Sequence, residues 1–273
     1  METNNRQEKK ENLKKQLKLI TEGTVGVAFS GGVDSSLLLK MACECAKENK
    51  TQVKAFMMQT ELLPINDVEI AKQVAEEIGA EFYLLSAQVL KEAEIEDNPV
   101  ERCYLCKKII FSKIREEAQK MGASVLIEGT NADDLFVYRP GIRAIKELEI
   151  VSPLADAQLT KKEVRNLAEE YGIMVADRPS TPCMATRFPY GTRLTIEKLE
   201  QVKKGEEYLQ GLGLYNVRLR VHGDIARIEV DASSMDDLLK KKTEVVTYLK
   251  ALGYPYITLD LEGFRSGSMD ILL

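Results

Sequence analysis

The sequence predicts an α/β protein: a parallel sheet with helices on both faces, joined to a smaller α+β domain at the C-terminal end. Three observations carry that prediction. Short apolar runs alternate with helix-length segments between residues 25 and 128, the pattern of repeated strand and helix units. The first apolar run ends in Ser30-Gly31-Gly32, a tight turn between a strand and a helix. After a stretch rich in proline and arginine, 177–193, the pattern changes to two alternating strands framed by helices.

In order, a short helix over 13–21 leads into a buried strand over 25–29. A helix over 37–46 follows, then strand 53–58, helix 67–78 and strand 81–85. Segment 98–106 breaks the pattern, helix 107–121 resumes it, and 124–128 supplies a fourth strand before the loop 129–134. Loops after such strands gather at one edge of a parallel sheet, where ligands bind. A helix over 160–171 closes the domain, with Thr160 as N-cap and Glu163 as its capping-box partner. The expected division is therefore 1–178 for the parallel-sheet domain, 179–193 for a connector bearing cysteine and arginine, and 194–273 for the small domain. The small domain contains a helix over 196–212, strands 217–221 and 225–230 around His222-Gly223-Asp224, a helix over 235–252 and a strand over 256–261. Internal repeats and low-complexity segments are absent from the sequence.

A chain of 273 residues can bury a sizeable core without disulfides. Its charges are intermixed and sum to -5, so it lacks the basic field that holds a nucleic acid by its phosphates, and an RNA substrate is disfavoured. The first twenty residues are charged throughout, and no stretch is apolar for long enough to span a bilayer, so a cytoplasmic protein is expected. Five cysteines, an odd number, point to metal or redox chemistry before a disulfide framework.

The chemistry is concentrated in Ser30-Gly31-Gly32-Val33-Asp34-Ser35-Ser36. Two adjacent glycines let the backbone approach an anion, and the following helix start offers unpaired N–H groups and partial positive charge. Phosphate is the natural guest. Ser30, Ser35 and Ser36 add hydroxyl donors. Asp34 cannot face phosphate without a positive intermediary, which implies a magnesium ion or a helix N-cap role. The string has no Gly-Lys-Ser/Thr ending and no G-x-G-x-x-G spacing, so it is neither a γ-phosphate P-loop nor a dinucleotide fingerprint. It resembles instead the PP-loop ATP pyrophosphatases, of adenine nucleotide alpha hydrolase-like fold, which release pyrophosphate and form an adenylated intermediate.

Cys103 and Cys106 have the two-residue gap that lets both sulfurs reach one metal centre, and Cys183 lies in the connector. Three thiolates without a fourth protein ligand suit an iron-sulfur cluster with an open iron better than structural zinc. A redox pair or an unoccupied trio of thiols is the alternative. Cys43 and Cys45 lie within a helix and read as packing residues. Arg187, Arg193, Arg218 and Arg220 are either ordinary surface charges or phosphate ligands, with 218 and 220 on one side of a strand. Asn131, Asp133 and Asp134 serve turn chemistry or contact substrate or magnesium. His222 reads as a turn residue or a phosphate contact.

Taken together, the motifs resemble one family within that class. They are AFSGGVDSS at 28–36, RCYLCKK at 102–108, EGTNADD at 128–134, YRPG at 138–141, SPLAD at 152–156, CMATRFPYGT at 183–192, HGDIARIEV at 222–230 and TLDLEGFRSGSM at 258–269. The resemblance is to LarE, an ATP-dependent sulfurtransferase of nickel-pincer nucleotide biosynthesis that serves lactate racemase maturation, and it covers nearly the whole chain. It implies that ATP, with Mg2+, adenylylates each carboxylate of pyridinium-3,5-biscarboxylic acid mononucleotide, after which sulfur displaces AMP to leave a thiocarboxylate. It places Cys183 at the sulfur-donor position and Met57 and Gly129 with the nucleotide-binding residues. It further implies a 4Fe-4S cluster on Cys103, Cys106 and Cys183, a hexameric homo-oligomer and a protein that restores sulfide. Other family members give up the cysteine's own sulfur and end as dehydroalanine. The alternatives are a PP-loop tRNA thiolase, which would show a salt-sensitive tRNA complex, an ammonia-using adenylating synthetase, which leaves the cysteine trio without a role, and a nucleotide sensor or cluster carrier, which would release no pyrophosphate.

Overall fold

The computed structural model describes residues 2–136 and 140–265. The chain divides into two compact units, Met1–Thr60, Asn66–Ala93 and Glu101–Ser180 in the first, and Glu61–Ile65, Glu94–Val100 and Thr181–Leu273 in the second. The connector thus joins the second unit, and two short segments from the N-terminal half join it there. Sequence alone gave no sign of those two excursions.

The first unit is built on four parallel strands, β1 (Val25–Ala28), β2 (Val53–Gln59), β3 (Glu81–Ser86) and β4 (Val125–Glu128), in the order β3-β2-β1-β4. Val25 pairs with Val53 on one side and Val125 on the other, so β1 is central. Alternate residues serve opposite faces. Phe56 and Met58 pack with Phe111, Ile114, Ala118 and Leu126 on the face covered by α5 (Arg102–Lys120). Gly26 belongs to that face, where an added Cβ would lie 3.1 Å from Ala118 Cβ. The strands also contact α2 (Val33–Asn49) and α3 (Asp67–Ile78), and α2 is backed by α1 (Glu2–Ile20). Short helices α4 (Val89–Glu92), α6 (Gly141–Glu147) and α7 (Pro153–Asp156) fill the connections.

The closing helix α8 (Lys161–Glu170) starts as expected. Thr160 Oγ1 accepts from Glu163 N at 3.3 Å, and the Glu163 carboxylate accepts from Thr160 N at 2.8 Å. Lys9 of α1 holds the same carboxylate at 2.9 Å. Burial alone would raise the Glu163 pKa, but the Lys9 ammonium and the Thr160 donors bring it below its ordinary value.

The second unit holds β5 (Val217–His222), β6 (Ile225–Val230) and β7 (Tyr256–Leu259). β5 and β6 form an antiparallel hairpin turned at Gly223, and β6 pairs with β7 in parallel. Helix α9 (Ile196–Gly211) lies against β5, with Gly205 at the closest approach: a Cβ there would fall 2.5 Å from Leu219.

Four expected elements differ. Helix α1 runs from Glu2 to Ile20 rather than being a short helix over 13–21. Helix α2 begins at Val33 rather than residue 37, so the loop ends sooner. Helix α5 begins at Arg102, which puts Cys103 and Cys106 inside the helix rather than in an irregular segment. The single helix expected over 235–252 is two, α10 (Met235–Lys240) and α11 (Lys242–Ala251), because Lys241 leaves helical geometry at φ -99° and ψ 11°. Part of the 138–141 motif and the end of the 258–269 motif lie outside the described residues. No described helix is long and apolar enough to cross a membrane.

Candidate active site

The site of the first unit forms where β1 ends and α2 begins. Gly31 has φ +71°, and a Cβ there would sit 2.8 Å from Ala71 Cα, so only glycine fits on both counts. Gly32 is the N-cap and brings no side chain, leaving the first-turn N–H groups of α2 without a capping side chain. The serines shape the loop from within. Ser35 Oγ donates to Gly32 O at 3.1 Å and lies 3.1 Å from Ser30 Oγ. Ser36 is fully buried, and its hydroxyl has no hydrogen-bond partner among the described residues. Such a helix start presents unpaired N–H groups and the positive end of the helix dipole.

The loop after β4 comes directly against this helix start, because Gly129 has no side chain: a Cβ there would meet Ser35 N at 2.8 Å. Asn131 Nδ2 then donates to Asp34 Oδ1 at 3.0 Å, while its Oδ1 accepts from Asp133 N at 3.0 Å and Asp134 N at 3.3 Å. Asp133 in turn accepts from Lys161 N at 2.8 Å. Asn131 and Asp133 therefore hold the loop and join it to α8. Glu128, at the end of β4, accepts from Thr130 N at 3.0 Å and Thr130 Oγ1 at 2.9 Å, and from Ser152 Oγ.

Asp34 lies in the first turn of α2 and is not its cap, so the N-cap reading is excluded. Its other carboxylate oxygen is paired with the Lys161 ammonium. Lys161 is the residue that sequence reasoning missed. The available signal was its place directly after the Thr160 cap, in the first turn of a helix whose start lies beside the loop after β4. Met57, on β2, is buried.

The cysteines fall into distinct environments. Cys43 and Cys45 are buried in α2, where burial pushes the Cys43 thiol up to about 11 and also raises that of Cys45. Cys103 and Cys106 are three apart on α5, hence on one helical face, and both are half-buried and free of disulfides. Cys183, in the second unit, caps the 3-10 helix Met184–Arg187; its carbonyl accepts from Thr186 Oγ1 at 2.8 Å and Thr186 N at 3.1 Å. Among the described residues no group of three or more His, Cys, Asp or Glu side chains is placed to hold a metal ion.

The arginines of the second unit overturn the surface-charge reading for three of four positions. Arg187, Arg218 and Arg220 are at most 4% exposed. Arg187 forks onto Glu206, both N–O distances being 2.9 Å. Arg220 Nε donates to Glu229 at 3.1 Å and its Nη1 to Thr186 O at 2.7 Å. Arg218 Nη1 donates to Val217 O at 2.8 Å, and its guanidinium lies 5.0 Å from the Phe264 ring centroid. Burial first, and then the neighbouring Arg187 charge, bring Arg218 down to about 10. Glu206 and Glu229, which hold Arg187 and Arg220, are buried with them. Glu206 and Glu229 were not anticipated; each occupies an inward position of an amphipathic element. Arg193 is exposed and pairs with Glu96 and Asp97. His222 ends β5, with its pKa lowered by burial and by Arg227.

A parallel sheet whose central strand opens into a serine-glycine loop at a helix start defines the ATP-using PP-loop class, and residues 10–239 match the asparagine synthase family. The chain is 38% identical over 246 residues to pyridinium-3,5-bisthiocarboxylic acid mononucleotide synthase of Lactiplantibacillus plantarum, covering 90% of this chain and 88% of that one. It belongs to the family of that synthase, the LarE family. It is also 37% identical to an uncharacterised protein of Synechocystis over 249 residues (90% of this chain, 92% of that one). A further relative is an uncharacterised protein of Methanocaldococcus jannaschii, 33% identical over 257 residues (94% and 96%).

Proposed function

We propose that this enzyme uses ATP to convert the carboxylates of pyridinium-3,5-biscarboxylic acid mononucleotide into thiocarboxylates. The observation that carries the reading is the open helix start after Gly31-Gly32, with Asp34 held between Lys161 and Asn131, in a chain of the LarE family.

A carboxylate oxygen is a poor leaving group until it carries AMP. In the first step a substrate carboxylate oxygen attacks the α-phosphorus of ATP, the bond to the bridging oxygen breaks, and pyrophosphate leaves. The first-turn N–H groups of α2 and the Ser30 hydroxyl bind the phosphates, while Lys161 offers positive charge where negative charge develops. Asp34 is the oxygen donor for magnesium; that it already carries a cationic partner fits a cation at this point. In the second step a sulfur nucleophile attacks the acyl carbon and AMP leaves with the carboxylate oxygen. Two rounds give the dithio product.

By ligand type alone, the thiolates of Cys103, Cys106 and Cys183 suit a 4Fe-4S cluster. When bound, that cluster would supply the transferable sulfide. The guanidinium groups of Arg187, Arg218 and Arg220 are of the kind that suits the substrate phosphate. A homo-oligomer in the cytoplasm, resupplied by a sulfide-donating protein, completes the reading.

The test is incubation of the anaerobically reconstituted protein with ATP, magnesium and the pyridinium mononucleotide, followed by mass spectrometry of small molecule and protein. AMP and pyrophosphate should appear in step with exchange of oxygen for sulfur. Formation of ADP, or untouched ATP beside the substrate, would overturn the proposal. Iron and sulfide near four each per chain, lost in Cys183→Ser, support the cluster; loss of one sulfur at Cys183 after a single turnover supports sacrifice of the cysteine.

A further inference from the structure

Cys183 is useful for sulfur transfer only if its turn is held in one orientation, and the second unit contains a device that does this. The 3-10 helix Met184–Arg187 is followed by 188–194, and this run is tied down from 94–100. Asn98 is fully buried and makes the central ties: its one side-chain amide donates to Phe188 O at 3.1 Å and to Pro189 O at 2.9 Å. Its backbone carbonyl accepts from Gly191 N at 3.0 Å. Flanking ties run from Leu194 N to Glu96 O at 2.6 Å, and from the Arg193 guanidinium to Glu96 at 2.7 Å and Asp97 at 3.0 Å. On the other side, Met184 N donates to Leu62 O at 2.8 Å.

The residue type at 98 is specified twice. Its φ is +48°, in the left-handed region that asparagine tolerates better than other side chains apart from glycine. Two successive carbonyls need two donors from one short side chain, which an amide supplies and a carboxylate of the same shape does not. An aspartate would turn its oxygens toward two carbonyl oxygens in a buried place.

We infer that Asn98 is a positioning residue for Cys183: by fixing two consecutive peptide planes after Arg187 it sets the direction of the turn that carries the thiol. The inference rests on the proposed role of Cys183 in sulfur transfer, but its effect on the thiol can be read without that role.

The experiment uses full-length protein with Asn98→Asp and Asn98→Gly, the second keeping the backbone conformation while removing the amide. Iodoacetamide labelling, resolved by peptide mass spectrometry, gives the alkylation rate of each cysteine. Cys183 should react about tenfold faster in both variants, the order of change expected from two lost buried hydrogen bonds. Cys43 and Cys45 should stay as slow as in the parent, which separates local release from general unfolding. In turnover, thiocarboxylate formation should fall while the first-round rate of pyrophosphate release stays within about twofold and the KM for ATP is unchanged. An unchanged Cys183 rate overturns the inference, as does a rise matched at Cys43. If neither variant folds, hydrogen exchange on the parent decides: amides of Met184 and Gly191 should be protected, and exchange at the rate of free loops would sink the idea. Failure of all sulfur transfer in the parent, with the labelling result intact, would count against the function alone.

Discussion

The two charged centres of this enzyme are made in opposite ways. In the first unit the glycine loop is mostly backbone: N–H groups at a helix start, serines bonded to their own turn, and one partly exposed pair between Asp34 and Lys161. In the second, whole guanidinium groups are buried, and the partners that neutralise them, Glu206 and Glu229, are buried with them. A centre of the first kind costs little to assemble and attracts anions through geometry. A centre of the second kind is expensive in desolvation and tolerates no missing member.

That contrast can be broken most severely at Glu206. Glu206→Ala leaves Arg187 buried without its forked partner and should cost about 3–5 kcal/mol of stability, read as a lowered urea midpoint. A loss no larger than that of a surface substitution would mean that the second centre is hydrated and resembles the first. At the loop, Lys161→Met should leave the urea midpoint close to the parent's while slowing pyrophosphate release by about a hundredfold, the scale of losing one electrostatic stabiliser. Equal losses of stability and rate would erase the distinction.

Smaller effects sharpen the comparison. Glu163→Gln should cost about 1 kcal/mol at neutral pH, since it weakens the α8 cap and the Lys9 pair. The sign of its pH dependence follows from the lowered pKa of Glu163 in the folded protein. Stabilisation by this group is complete above the unfolded pKa, roughly 4.3, and is lost as pH falls through the folded value. The difference between parent and variant should therefore shrink in acid, and a gap that widens there contradicts the assignment.

What the sequence disclosed follows the same division. The serine-glycine loop, the alternation of strands and helices and the Thr160 capping box are each written in a few neighbouring residues, and all three stand in the structure, the loop ending sooner than expected. Lys161 was missed because its partner Asp34 lies far back in the chain and only the parallel sheet brings the two ends of the loops together. Glu206 and Glu229 were missed for a related reason: nothing in an acidic residue on an amphipathic element tells whether it faces water or a buried arginine. The helix break at Lys241 is a local departure among residues that all favour helix. The start of α5 was hidden because Pro99 lies close before Arg102, inviting an irregular reading of the cysteine motif.

The capping box of α8 reaches further than a helix end. Lys9, on α1, grips the glutamate that seals α8 two residues after Lys161, so α1 braces the helix start whose ammonium pairs with Asp34. Loosening that grip, as Lys9→Met would, should be felt as sluggish turnover rather than poor expression.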